Sequence, residues 1–198
     1  FEEEPDYEEV VDEEDTNEIE KESNPGTDKE EQKNKEKEST SKSTAETAEE
    51  MIFSPMSGTV IDLEDVPDPT FARKLMGNGI AIKPESRTIS SPVAGEVVNV
   101  MNTKHAVGLK TASGVEVLIH VGLDTVQMEG EGFESFVTVG DEVQVGDKLL
   151  EADLELVKEE AKSTVTPMVI TNTDDFAAVE TVAEEKVDSG AEAVKVRL

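Results

Sequence analysis

The run Val115-Glu116-Val117-Leu118-Ile119-His120-Val121-Gly122-Leu123 constrains the fold more than any other stretch of the chain. Successive side chains of a strand point to opposite faces. Val115, Val117, Ile119, Val121 and Leu123 therefore line one wholly apolar face that must be buried. His120 falls on the other face, and Gly122 beside it leaves room above the sheet. A packed strand with one imidazole on its open side is the first candidate site.

Other strand-like runs are short, rich in Val and Ile, and punctuated by Gly, Pro and Asp. They cover Phe53 to Leu63, Gly79 to Lys83, Gly95 to Met101, Glu142 to Gln144, Thr164 to Asn172 and Ala191 to Leu198. Many short strands at this spacing predict an all-β fold, an antiparallel sandwich or barrel. Two short helices interrupt it. Asp68 can cap one, with Pro69 at its first position and Gly77 ending the turn after Met76. Asp153 can cap the other, with Leu154, Val157 and Ala161 on one face.

One internal repeat stands out. Ser54-Pro55-Met56-Ser57-Gly58-Thr59-Val60-Ile61-Asp62-Leu63 matches Ser91-Pro92-Val93-Ala94-Gly95-Glu96-Val97-Val98-Asn99-Val100. Val139-Gly140-Asp141-Glu142-Val143-Gln144-Val145-Gly146-Asp147 adds two glycine turns around a very short strand. Compact β-sandwiches of the biotin- and lipoyl-carrier kind share such features. Those carriers need a modified Lys in a hairpin. Here Leu149-Leu150 is followed by Glu151-Ala152-Asp153-Leu154, with no Lys, which argues against that rival.

Charge divides the chain. Residues 1–50 hold 21 acidic and 6 basic side chains and only 7 apolar ones. Such a segment cannot bury enough apolar surface to offset an ordering entropy of roughly 1–2 kcal/mol per residue. It is expected to be a disordered acidic linker or tail, with an acidic binding motif around Tyr7 to Ile19 as the alternative. Residues 51–198 have a globular composition and form the expected domain. The whole chain carries 18 basic and 47 acidic residues, a net charge of −29. That balance opposes a nucleic-acid partner, because phosphate contacts need clustered Lys and Arg. There is no Cys, hence no disulfide, zinc-thiolate site or thiol nucleophile. No apolar run approaches the roughly 18 residues that span a bilayer. A reducing cytoplasm is the expected compartment.

Only two histidines exist. The second, His105, lies in Asn102-Thr103-Lys104-His105-Ala106. If that stretch is extended, Thr103 and His105 share a face about 6–7 Å apart, and the hydroxyl can orient the ring. Spacing alone leaves two surface or structural histidines as the commoner reading. A metal site from His105, His120, Asp68 and Asp124 is weakly supported without Cys or a helical His pair, and no metal or cofactor is expected. No Gly-x-Ser-x-Gly nucleophile turn is present.

At Gly114 to Val126 the chain resembles the active-site signature of the glucose-type enzyme IIA domain of the bacterial phosphoenolpyruvate-dependent sugar phosphotransferase system. Similar blocks occur at Ser54-Pro55-Met56-Ser57-Gly58, Val66-Pro67-Asp68, Gly79 to Pro84, Thr103-Lys104-His105-Ala106, Gly130-Glu131-Gly132-Phe133 and Val139-Gly140-Asp141. The resemblance implies an antiparallel β-sandwich carrying phosphate on His120 through Nε2. His105 would be needed to pass phosphate on, and Thr103 would hydrogen-bond within the pair. HPr would be the donor and a IIB domain of a sugar transporter the acceptor. Both would dock on a shallow apolar surface ringed by acidic residues, with Asp68, Phe71, Asp124 and Val126 at those positions. Two departures, Pro69-Thr70 before Phe71 and Met101 where an aromatic is common, bear on partner preference. The same surface could serve regulatory binding. Phe1 and the leader suggest the C-terminal part of a membrane transporter; the alternative is a regulatory domain fused to a non-phosphotransferase sugar permease.

Overall fold

The computed structural model describes residues 48–198, so the expectations for the leader lie outside the described residues. In chain order the strands are β1 (Glu49–Phe53), β2 (Gly58–Asp62), β3 (Asn78–Pro84), β4 (Thr88–Ser90), β5 (Gly95–Val100), β6 (Ala106–Lys110) and β7 (Glu116–His120). They continue with β8 (Phe133–Ser135), β9 (Glu142–Val143), β10 (Lys148–Ala152), β11 (Thr166–Ile170), β12 (Ala178–Thr181), β13 (Lys186–Val187) and β14 (Glu192–Arg197). Helix α1 is Pro69–Ala72 and helix α2 is Leu154–Glu160. All pairings are antiparallel, and the fold is the all-β class expected.

An eight-stranded sheet runs β13-β2-β3-β11-β7-β6-β5-β9, flanked by β1-β14-β12 and β4-β10-β8. The main core draws on all three: Ile80, Ile82 and Ile119 from the large sheet, Ile52 and Val194 from one small sheet, and Ile89 and Leu150 from the other. Burying each such side chain stabilises the fold by roughly 1.5–3 kcal/mol. β1 starts at Glu49, two residues ahead of the division expected at 50/51. Glu49 and Glu50 pair with Arg197 and Val196 there, and Glu49 meets Lys195 and Arg197 in ion pairs.

The sequence repeat has a structural counterpart. Ser54 Oγ donates to the Met56 carbonyl and Ser91 Oγ to the Val93 carbonyl, each at 2.7 Å. The Phe53 N–H donates to Pro92 O while the Ser90 N–H donates to Pro55 O, at 2.9 and 2.8 Å. Each copy thus holds the other. Gly58 and Gly95 sit at twin crossings, where a Cβ would lie 2.2 Å from Lys83 O and 2.3 Å from Lys110 O. Strand order reads alike from either end of the large sheet, with β2, β3 and β11 mirrored by β5, β6 and β7. The large sheet is a duplicated motif whose two-fold passes between the paired residues Met168 and Ile119 of β11 and β7.

Both helix caps form as expected. Asp68 Oδ1 accepts from the Thr70 N–H at 2.8 Å, with Pro69 in the first turn. Asp153 Oδ1 accepts from the Leu156 N–H at 3.3 Å. Helix α1 roofs a second, smaller core on the opposite face of the large sheet, built from Leu63, Val66, Phe71, Ala81, Leu123, Val165 and Val169. Leu123 belongs here, whereas Val115, Val117, Ile119 and Val121 belong to the main core. The expected single face breaks because Gly122 takes φ +71 and turns the chain over. Left-handed backbone of that kind suits Gly, which has no Cβ to clash.

Candidate functional site

His120 ends β7 on the face away from the main core, with its ring partly exposed. Its Nδ1 lies 2.8 Å from the Gly122 carbonyl. A carbonyl only accepts, so Nδ1 carries the hydrogen and Nε2 keeps a free lone pair. Gly122 therefore does not leave room beside the imidazole, as its small size suggests. A Cβ there would meet Thr125 Cγ2 at 2.6 Å and Ser163 O and Val157 Cγ1 at 3.0 Å. Its value is the turn that aims its carbonyl at the ring.

His105 is 4 % exposed, and its ring lies edge-on to His120 with centroids 4.8 Å apart. Thr103 Oγ1 lies 2.6 Å from His105 Nδ1. The expected contact forms, but by a turn and not along a strand. Lys104 between them has φ +55 and its N–H donates to Met101 O at 2.7 Å. That turn brings the hydroxyl nearer than two strand steps could. The His105 carbonyl, in turn, accepts from the Val121 N–H at 2.7 Å, which anchors one histidine segment to the other.

A cleft of about 290 Å³ opens over His120, lined among others by Asp68, Phe71, Met76, Met101, Asp124 and Val126. Phe71 is buried and stands edge-on to the His120 ring at 5.4 Å. It walls the imidazole rather than facing outward. Val126 (55 % exposed), Met101 (43 %) and Met76 (40 %) form the open apolar lip. Asp124 sits at φ +60 immediately after the Gly122 turn. Met76 carried no signal in the sequence, because its position depends on the turn after α1. Leu118 and Thr125 also line the cleft unforeseen, and the Thr125 hydroxyl donates to Val121 O at 2.9 Å.

Electrostatics keep both rings neutral. Burial, and then the neighbouring His120, lower His105 to about 4. Burial also pulls His120 down, while the Gly122 carbonyl and the Asp68 and Asp124 carboxylates act in the opposite sense. The competition is between desolvation, which disfavours the cation, and acceptors that favour it. Two neutral rings are poor company for a cation but good nucleophiles and donors. Among the described residues, no group of three or more His, Asp or Glu side chains gathers as a metal site, and no helix is long and apolar enough to cross a membrane.

The duplicated antiparallel fold and its paired-imidazole cleft define the class, an all-β domain with two neutral rings at one shallow apolar cleft. The family model for the phosphoenolpyruvate-dependent sugar phosphotransferase system, EIIA 1, matches residues 50–176, and the chain belongs to that family. It is 57 % identical over 142 residues to a glucose-specific EIIA component of the phosphotransferase system from Halalkalibacterium halodurans, covering 72 % of this chain and 82 % of that one. A glucose-specific EIIA component from Bacillus cereus is 50 % identical over 155 residues, covering 78 % and 94 %. The solved glucose permease IIA from Mycoplasma capricolum superposes with a TM-score of 0.71 at 40 % identity, covering 75 % and 96 %. These relatives favour a phosphotransferase component over a regulatory domain on an unrelated permease.

Proposed function

We propose that this chain is a histidine phosphocarrier of the sugar phosphotransferase system, taking phosphoryl from phospho-HPr on His120 and passing it to a IIB domain during sugar uptake. The observation that carries the reading is the Nδ1 contact with the Gly122 carbonyl at 2.8 Å, which frees Nε2 as nucleophile. In the forward step the Nε2 lone pair bonds to phosphorus as the donor's phosphorus–nitrogen bond breaks. The donor's imidazole leaves with that electron pair. Phosphorylated with its Nδ1 hydrogen in place, the His120 ring carries positive charge. The Gly122 carbonyl, Asp68 and Asp124, which already favour the cation, stabilise it. Onward transfer reverses the bond changes, and His120 leaves as neutral imidazole, the state its burial favours.

His105 and Thr103 are the positioning pair. With the Thr103 hydroxyl donating to Nδ1, His105 keeps its Nε2 hydrogen as a donor for phosphoryl oxygens. The transfer has a loose transition state with charge spread over those oxygens, so positioned donors are what it needs. Asp68, Phe71, Asp124 and Val126 are read as part of the docking rim. An apolar lip with carboxylates suits a partner presenting apolar side chains among Lys or Arg. The net charge of residues 51–198, 12 basic against 26 acidic side chains, adds steering of the same sign. Residues 51–198, extended by Glu49 and Glu50 of β1, act as the domain, the acidic residues before them as a linker or tail, and the compartment is the cytoplasm. Incubation with phosphoenolpyruvate, enzyme I and HPr should place an acid-labile phosphoryl group on His120. His120→Ala should lose it entirely; undiminished labelling of that variant overturns the assignment.

A further inference from the structure

The chain has six methionines and no cysteine, so oxidation at sulfur falls on thioethers alone. Met56 and Met168 are fully buried, Met128 is 9 % exposed, and Met51 is partly buried within β1. The two open ones, Met76 at 40 % and Met101 at 43 %, both line the His120 cleft. They sit in twin turns, the Gly77 N–H donating to Lys74 O as the Lys104 N–H donates to Met101 O. Each half of the duplicated fold thus contributes one accessible sulfur to the lip.

We propose that Met76 and Met101 are an oxidative modification site, where hydrogen peroxide converts both thioethers to sulfoxides and thereby weakens docking of the phosphoryl donor. In the step, sulfur attacks a peroxide oxygen and the O–O bond breaks. Hydroxide leaves and takes the remaining proton from the new S–OH group. Sulfur is oxidised by two electrons, and the peroxide is reduced to water. Exposure governs which methionines react, and the product is polar and reversible by methionine sulfoxide reductases. A flexible, polarisable side chain that adapts to an apolar partner becomes a strong acceptor that loses water on docking. Left unpaired there, it should slow transfer from phospho-HPr about tenfold. His120 keeps its Gly122 contact, so the nucleophile itself is unchanged.

The consequence for docking rests on the function proposed above; the modification itself does not. The test treats the whole chain with hydrogen peroxide, maps sulfoxides by peptide mass spectrometry, and measures transfer from phospho-HPr before and after. Sulfoxide should appear at 76 and 101 ahead of 51, 56, 128 and 168, transfer should slow, and sulfoxide reductases should restore it. A Met76→Leu/Met101→Leu double variant, compared with its own untreated sample, should lose the sensitivity. Oxidation spread evenly over the six, unchanged transfer with both sites oxidised, or equal sensitivity of the double variant each overturns the proposal. Untreated protein that takes no phosphoryl from phospho-HPr overturns the phosphocarrier reading instead, and the mass map then still decides the modification site.

Discussion

The half of the molecule built on β5, β6 and β7 carries both histidines, while the half built on β2, β3 and β11 repeats its backbone without either. Counting along the ladders from the twin crossings at Lys83 and Lys110, the pair Gly79–Val169 stands where Ala106–His120 stands. Asn78 stands where His105 does, and Gly77 where Lys104 does; the turns before them close with equivalent hydrogen bonds. Duplication therefore supplies the scaffold twice and the pair of imidazoles once. In the silent half, Asn78 spends its side-chain amide on Val179 O and its N–H on Thr173 Oγ1. In the active half, the same place holds a ring aimed at a second ring. The two halves differ in a few side chains at matching backbone positions.

The largest effect should come from undoing one of these differences. His105→Gln replaces the ring with an amide, as the silent half has at Asn78. It should still take phosphoryl on His120, yet pass it to a IIB domain roughly 10²-fold more slowly or worse, the usual loss when one preorganised donor is removed. Rapid-quench measurement of both steps separates acceptance from release. Equal onward rates in the two proteins would remove His105 from the mechanism.

Next are the glycines that shape each half. Gly122→Ala forces an L side chain into φ +71 against Thr125, Ser163 and Val157. Left-handed strain together with the overlap should lower stability by about 2–3 kcal/mol. Gly77→Ala in the silent half should do at least as much, since its Cβ would lie 2.0 Å from Ile170 O at φ +116. Only Gly122→Ala should also disturb His120, whose Nδ1 partner moves with the turn. Urea unfolding midpoints and imidazole NMR shifts report the two effects; an unshifted His120 resonance would show that the carbonyl does not set its tautomer.

The pH dependence also distinguishes the halves, because only one holds imidazoles, and His105 there is buried. Unfolded His105 takes a proton near pH 6.5 and folded His105 only near 4. Between those values the unfolded chain binds more protons, so stability falls as pH falls and is fully present above about 6.5. The slope cannot exceed about 1.4 kcal/mol per pH unit for this group. His105→Gln should lessen the slope between pH 6.5 and 4.5 in urea midpoints, leaving the share of His120, which burial also pulls down. An unaltered slope would mean the ring is already solvated.

Much of this is legible in the amino-acid sequence. The apolar alternation from Val115 to Val121, the caps at Asp68 and Asp153, and the Ser-Pro repeat each followed from local rules. What the sequence hid are places where the backbone turns left-handed. Leu123 looks like one more core residue of β7, but Gly122 sends it to the second core. Thr103 and His105 look like strand neighbours, but Lys104 folds them together. Strand β6 escapes notice because Ala106, Val107, Gly108 and Leu109 are all buried, so no alternation marks them. Met76 joins the site only through the turn after α1, which no spacing encodes.

The smallest expected effect bears most directly on that left-handed residue. Lys104 at φ +55 carries a strain of roughly 1–2 kcal/mol for a residue with a Cβ, whereas its twin Gly77 carries none. Lys104→Gly removes that strain but gives back about 0.5–1 kcal/mol in unfolded-chain entropy. The balance is a gain of about 0.5 kcal/mol, visible as a small rise in the urea midpoint. Because Lys104 is exposed, no packing is lost, and the Thr103–His105 contact should persist. A clear fall in stability would show that the Lys104 side chain holds the turn, a structural role that Gly77 in the silent half cannot have.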